Sequence, residues 1–291
     1  MEKKTVLITG GTGSFGHRYV ESALERDLYS TIIIFSRDEM KQFYMAERFK
    51  NDPRLRFFIG DVRDRWRLER ALGGVDVVIH AAATKIVPTA EYNPSECIKT
   101  NILGAMNLVE ALHNSPVTKV VALSTDKASA PINLYGATKL ASDKLFISAN
   151  LYGGKKQRLS VVRYGNVMGS RGSVLPFFLK QRETGQILTI TDERMTRFMI
   201  SLDEAVDMVN EALLDMEGGE LYVRKIPSMN IVDIVNVIQP DAKYKVIGIR
   251  PGEKLHEQMI SVEESRFTYE YEQYYKVLPD LNNWANDPKY I

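Results

Sequence analysis

The chain has 291 residues, 44% hydrophobic and 26% charged, with a formal net charge of +1. This is ordinary globular composition, sized for one large α/β domain with a smaller appended lobe. The near-neutral balance removes the electrostatic case for nucleic acid or an anionic membrane as the main partner. Cys97 is the single cysteine, and the four histidines (His17, His80, His113, His256) lack ligand spacing, so neither an intrachain disulfide nor a metal site is expected.

Met1 to Lys4 lead into an apolar run too short for a secretory signal core. No apolar run approaches the ~18 residues of a membrane span, so a cytoplasmic protein is expected.

Residues 5–9 read as the first buried strand. Thr9-Gly10-Gly11-Thr12-Gly13-Ser14-Phe15-Gly16 follows directly and opens a helix over 14–26. The glycines parse as Gly11-x-Gly13-x-x-Gly16 or as Gly10-x-x-Gly13-x-x-Gly16. Either parsing permits a tight turn and close approach of backbone to a pyrophosphate, with the helix N-terminus supplying free N–H donors. Gly10, Gly13, Ser14, Phe15 and Gly16 are therefore candidate dinucleotide contacts.

A second strand is expected at 32–35. The adenosine ribose is read at its end, roughly 20 residues past the glycines. Ser36 and Arg37 stand there, with Asp38 and Lys41 beyond. A serine and a guanidinium suit a 2′-phosphate, whereas an acid suits a free 2′-hydroxyl. The cations favour NADP, and Asp38 keeps NAD in play.

A helix at 40–49 and a strand at 55–59 follow. Gly60-Asp61-Val62 either sets a carboxylate near the adenine amine or caps the next helix. Further strands are expected at 75–80, 119–123 and 159–163, and helices at 93–114 and 133–149. The alternation argues for a Rossmann-type doubly wound parallel sheet with right-handed crossovers.

Past Tyr164 the order changes. Gly165, Gly169 and Gly172 mark loops. Helices at 173–184, 202–214 and 230–238 alternate with short strands at 187–190, 221–223 and 243–246. The chain thus divides into a dinucleotide-binding domain over 1–164 and, over 165–291, a small α+β substrate lobe with a tail, some later segments returning to the first domain. The tyrosine- and glutamate-rich stretch 270–275 reads as packing or surface.

Chemistry concentrates in residues 125–139. Tyr135 and Lys139 sit at i and i+4, on one face of a helix. A phenol beside an ammonium should ionise more easily than the free group at ~10, which suits a base that takes a proton from a sugar hydroxyl. Asp126 and Lys127 form a second acid/base pair in the same stretch. Two proton-transfer stations suggest chemistry beyond simple alcohol oxidation.

These residues resemble the extended short-chain dehydrogenase/reductases: the three-glycine loop, Asp61-Val62, His80-Ala81-Ala82-Ala83 and Tyr135-x-x-x-Lys139. Longer phrases resemble the inverting UDP-N-acetylglucosamine 4,6-dehydratases that begin pseudaminic acid synthesis. They run from Leu123 to Lys127, Pro131 to Lys139, Arg163 to Val167, Ser170 to Val174, Met195 to Phe198 and Ile249 to Glu257. Hexose dehydratases of the dTDP-glucose type carry Asp-Glu where this chain has Asp126-Lys127.

The resemblance implies a redox-neutral lyase reaction on a UDP-sugar. Tyr135, helped by Thr125 and Lys139, takes the carbon 4 hydroxyl proton; Lys127 removes the carbon 5 proton; Asp126 is the acid that helps hydroxide leave carbon 6. Ala81, Ala83, Lys85 and Val167 are implied on the cofactor side. Lys85, Asn166 and Thr189 are expected to face the substrate, with Arg197 and Arg250 on its diphosphate and Glu253 on a ribose hydroxyl. A homo-oligomer, dimer or hexamer, is also implied. The competing expectations are a retaining dehydratase or 4-epimerase, and an NADP-binding sensor without turnover.

Overall fold

The structure is a computed structural model that describes residues 4–152, 156–240 and 243–279. The tail of the lobe assigned to 165–291 therefore runs beyond the described residues, as do Met1 to Lys3.

The first half runs β1 (Thr5–Thr9), α1 (Ser14–Glu25), β2 (Thr31–Ser36), α2 (Glu39–Arg48), β3 (Leu55–Ile59), α3 (Arg65–Ala71) and β4 (Val77–His80). Helices α4 (Val87–Tyr92), α5 (Pro94–Ile98) and α6 (Gly104–Leu112) precede β5 (Lys119–Leu123), α7 (Leu134–Tyr152) and β6 (Arg158–Arg163). The second half runs β7 (Asn166–Val167), α8 (Val174–Glu183), β8 (Leu188–Ile190), β9 (Thr196–Ile200), α9 (Leu202–Asp215) and β10 (Leu221–Arg224). It ends with β11 (Ser228–Asn230), α10 (Ile231–Ile238), β12 (Tyr244–Val246), α11 (Val262–Ser265), β13 (Thr268–Glu270) and β14 (Tyr274–Val277).

The main sheet has nine strands in the order β13-β14-β10-β6-β5-β4-β1-β2-β3. It is parallel from β10 to β3, and β14 and β13 add antiparallel at the far edge. Its inner strands β1, β2, β4 and β5 are largely buried and apolar on both faces, as sheets covered by helices on both sides require. Alternation divides them: Val6, Ile8, Ile32 and Ile34 join the core under α1 and α9, while Leu7, Ile33 and Phe35 join the core under α3, α6 and α7. β1 has β2 on one side and β4 on the other. The order in which strands are added to the sheet reverses there, and ligands of such sheets bind at the strand C-terminal ends beside that point.

The smaller lobe has its own core of Phe178, Leu188, Ile190, Met195, Met199, Ile231, Ile234 and Val235. Strands β11, β9 and β7 form one of its sheets, and β12 and β8 the other. The segments that return to the main domain are α9, whose Val206 and Val209 join the core beside α1, and β10, which pairs with β6. The stretch 270–275 extends that edge by way of β14.

The helix expected at 93–114 is interrupted. Lys99–Leu103 forms a π-helical turn between α5 and α6. The wider turn points the buried Asn101 at the loop after β4, where its amide oxygen accepts from the Thr84 N–H at 2.8 Å and its amide nitrogen donates to the Thr84 carbonyl at 3.0 Å. The same nitrogen donates to Thr138 Oγ1 on α7 at 3.0 Å. Such turns recur at functional sites, and this one fastens the loop that carries Lys85.

Candidate active site

A cavity of about 650 Å³ lies at the C-terminal ends of the parallel strands, within the range of small-molecule sites. The glycine loop forms one end. Gly10 has φ +64°, and a Cβ there would lie 2.8 Å from Ala82 Cα. A Cβ on Gly16 would lie 2.0 Å from the Gly11 carbonyl oxygen. Gly11 is crowded as well, a Cβ there lying 3.0 Å from the Ile8 carbonyl oxygen, so both parsings of the loop fit the close backbone approach. Gly13 is the N-cap of α1 and offers no side chain to the first-turn N–H groups, which leaves them to an anion. This cradle fits a dinucleotide pyrophosphate.

At the ribose end, Asp38 is committed elsewhere. It caps α2 by accepting from the Lys41 N–H at 3.0 Å, and its other oxygen lies 3.0 Å from Lys41 Nζ. Ser36 is buried and accepts from Gln42 Nε2 at 3.0 Å. Arg37 stays exposed, 3.9 Å from Asp61. Asp61 is held by Arg63 at 2.7 Å, so most of its carboxylate is occupied. All of these except Arg63 and Gln42 line the cavity, as do Ser14, Phe15, Val62, Ala81 and Ala83.

Thr125, Lys127, Tyr135 and Lys139 line its centre. Thr125 ends the segment after β5 and opens a 3₁₀ turn, Asp126–Ala128. Helix α7 approaches this turn closely because Gly136 lacks a side chain: a Cβ there would lie 2.1 Å from the Lys127 carbonyl oxygen. Asn133 caps the helix, accepting from the Gly136 N–H at 2.7 Å.

The ionisation expected for Tyr135 is reversed. Burial pushes the phenol up from its ordinary value, and the nearby Thr125 hydroxyl only partly offsets this. Lys139 is not among the groups that pull the phenol down. Desolvation lowers its own proton affinity, with the Asp143 carboxylate acting the other way. Asp143 accepts from Ser124 Oγ at 2.6 Å and lies 3.5 Å from Arg163, which forks onto Glu264 at 2.8 and 2.9 Å. His80, beneath this helix, is buried and shares a 2.9 Å hydrogen bond with Thr9 Oγ1. Burial, and then the Lys139 charge, lower its pKa to about 3, so it is a neutral structural group.

Asp126 differs from its expected place. Its side chain is wholly buried behind Lys127, outside the cavity wall. Oδ1 accepts from Thr125 Oγ1 and from Lys127 Nζ, each at 3.0 Å, while Oδ2 has no hydrogen-bond partner. It aims two cavity-lining groups rather than facing a ligand itself.

Asn166, Val167, Arg250 and Glu253 line the lobe side of the cavity, as Lys85 does opposite. Glu253 holds the Arg250 guanidinium, accepting from Nε at 3.0 Å. Arg197 and Thr189 are not at the cavity. The Arg197 guanidinium is spent on the carbonyls of Thr196, Leu255 and Lys254 at 2.7, 3.2 and 3.0 Å, so it braces the segment after Glu253. Thr189 is tied to Gln181 inside the lobe.

Arg171 lines the cavity without having been singled out. It reaches from the lobe to the glycine loop and donates to the Thr12 carbonyl at 2.5 Å. The position of Arg171 within the phrase Ser170 to Val174 was its only signal. Lys85 is depressed by burial and then by the charges of Arg171 and Lys127. Three cations crowd one cavity, which suits a polyanionic ligand. Among the described residues no cluster of His, Cys, Asp and Glu could hold a metal ion, and no helix is long and apolar enough to cross a membrane.

The sequence matches the family described as polysaccharide biosynthesis protein over residues 6–279. A Campylobacter jejuni protein named UDP-N-acetylglucosamine 4,6-dehydratase (inverting) is 58% identical, over 96% of this chain and 84% of that one. A Rickettsia conorii protein named UDP-glucose 4-epimerase is 45% identical, over 95% and 83%. Among solved structures, Pen from Bacillus thuringiensis superposes with a TM-score of 0.91 at 37% identity, covering 96% of this chain and 89% of that one.

Proposed function

The chain belongs to the polysaccharide biosynthesis protein family, on the fold of the extended short-chain dehydrogenase/reductases, and from that premise we propose that it is a UDP-N-acetylglucosamine 4,6-dehydratase that inverts carbon 5. The observation that carries the reading is Lys127 on the wall of the cavity that also holds Tyr135 and Lys139. A simple oxidoreductase has no use for that second proton-transfer station. The 58% identical relative named as an inverting dehydratase supports the same reading.

In this mechanism Tyr135 accepts the carbon 4 hydroxyl proton as a phenolate, with Thr125 against it; burial opposes that form, and the positive ring of a bound nicotinamide cofactor would favour it. A bound nicotinamide cofactor would supply hydride acceptance at carbon 4 and hydride return at carbon 6. The ketone acidifies the carbon 5 proton, which Lys127 takes in the form of the Asp126–Lys127 pair that carries its proton on the carboxyl and leaves the amine neutral. Hydroxide leaves carbon 6 as water on a proton from the Asp126–Lys127 pair, and a proton delivered to the opposite face of carbon 5 inverts it. Protons removed at oxygen 4 and carbon 5 equal those delivered to the leaving oxygen and to carbon 5. The product is UDP-2-acetamido-2,6-dideoxy-β-L-arabino-hexos-4-ulose, the entry to pseudaminic acid. The crowded cations Lys85, Arg171 and Lys127 favour a diphosphate-bearing substrate, with Arg250 beside it.

Incubation with UDP-N-acetylglucosamine in deuterated water tests this directly. Deuterium should appear at carbon 5 of a 6-deoxy-4-keto product, and proton couplings should report the inverted configuration. A 4-epimerase, the activity named for the 45% identical relative, would return a non-deuterated 4-epimer.

NADP is the proposed cofactor because Asp38 is engaged by Lys41 while Arg37 remains exposed. Arg37→Ala should weaken NADP binding by about 10- to 100-fold, the worth of a hydrogen bond to a charged group, and NAD binding much less. Titration with each dinucleotide reads the difference; equal losses would count against the 2′-phosphate assignment. Ile98, Leu103, Met106 and Leu151 stand exposed on α5 to α7 and their connecting turn, which supports a homo-oligomer pairing through these helices; the proposed location is the cytoplasm.

A further inference from the structure

Glu257 belongs to the segment braced by Arg197, yet its carboxylate faces the catalytic turn. Its side chain is 2% exposed, and Oε1 lies 3.7 Å from Lys127 Nζ. Oε2 lies 3.6 Å from Lys254 Nζ and accepts no hydrogen bond. Lys254 Nζ in turn donates to the Ser129 carbonyl at 2.8 Å. Charges alternate along Asp126, Lys127, Glu257 and Lys254, and the last two come from the chain beyond the small lobe's strands. Glu257 does not line the cavity.

A buried carboxylate is costly unless it is well hydrogen-bonded. Both ammonium groups stand beyond the ~3.2 Å of a good hydrogen bond, so Glu257 is poorly compensated as a structural ion pair. Its location makes sense for a different task. Lys127 carries a point charge on a flexible four-carbon stem, and Asp126 alone would draw it back from the cavity wall. A second carboxylate, from a distant segment of the chain, gives the amine another partner at 3.7 Å. It also ties the amine to the segment whose earlier residues, Arg250 and Glu253, reach the cavity.

We propose that Glu257 is a positioning residue for Lys127, holding the amine where it meets carbon 5 and coupling that position to the loop that receives the substrate. The assignment rests on the dehydratase reading. It makes a selective statement: removing the Glu257 charge disturbs the step that uses Lys127 and spares the earlier step at Tyr135.

The test is a single-turnover reaction of the cofactor-loaded Glu257→Gln protein with UDP-N-acetylglucosamine in deuterated water. The near-ultraviolet absorbance of the reduced nicotinamide should rise as in the unmodified protein and then persist. Deuterium at carbon 5 and 6-deoxy product should both fall by about 100-fold, as for misplacement of a reacting group by an ångström. Thermal unfolding and dinucleotide affinity should stay close to those of the parent. Oxidation and exchange falling together, or neither changing, overturns the assignment. If Glu257→Gln does not fold, Glu257→Asp keeps the charge but withdraws it, and the same split between oxidation and exchange decides. Absence of deuterated product from the unmodified protein would sink the dehydratase reading itself, and this assignment with it.

Discussion

Replacing Tyr135 by phenylalanine should lower the rate of dehydration by about 10³-fold, the middle to upper worth of a positioned acid–base group, while leaving dinucleotide and UDP-sugar affinities within a few-fold. The ring stays in place because the helix that carries it is fixed by the Asn133 cap and by Asn101 through Thr138. What disappears is the hydroxyl that takes the carbon 4 proton. The nearby Thr125 hydroxyl is no substitute, because an alcohol ionises far less readily than a phenol. The loss should appear at the first step, so no reduced nicotinamide should form in a single turnover. That outcome contrasts with Glu257→Gln, where reduced nicotinamide forms and persists. A Tyr135→Phe protein that still accumulates reduced cofactor at the parent rate would remove Tyr135 from the mechanism.

Gly136→Ala should also be damaging, although it touches no ligand. In a helix interior, alanine is ordinarily better than glycine by about 1 kcal/mol. Here the sign reverses. The added Cβ would lie 2.1 Å from the Lys127 carbonyl oxygen and 3.0 Å from its carbonyl carbon. Neither neighbour is a flexible side-chain tip, so α7 or the 3₁₀ turn must move. Overpacking of this kind costs typically 1–3 kcal/mol, about the scale of the expected destabilisation. The activity cost is larger, because Tyr135 and Lys127 lie on the two pieces being forced apart, and an ångström of misplacement costs about 100-fold. Urea unfolding and turnover should fall together. A variant as stable and as active as the parent would show that the turn and the helix are not held in this register.

The legible parts share a physical cause. The bounds of β1 and β5 follow directly from their apolar runs, because strands covered on both faces carry no polar alternation to blur them. Tyr135 and Lys139 fall on one helix face by spacing alone. The glycine triplet announces its turn because a tight backbone approach excludes every larger side chain. Less was legible where a segment is short or its partner distant. Helix α3, of seven residues, is too brief for a reliable period, and β9, β11, β13 and β14 draw their edges from pairing rather than pattern. The π-helical turn at Lys99–Leu103 hides inside an otherwise helical rhythm.

Composition, periodicity and short-range motif spacing determined the class of fold, the anion-binding end of the cavity and the pair at Tyr135 and Lys139, because those features are written within a few turns of chain. The tertiary structure alone decided which charged groups are spent and which are available. It turned Arg197 from a ligand candidate into a brace, withdrew Asp126 behind Lys127, engaged Asp38 with Lys41, raised the proton affinity of Tyr135 by burial, and brought Arg171 and Glu257 to the site. Each outcome depends on desolvation or on a partner supplied by a distant segment, and local spacing carries neither.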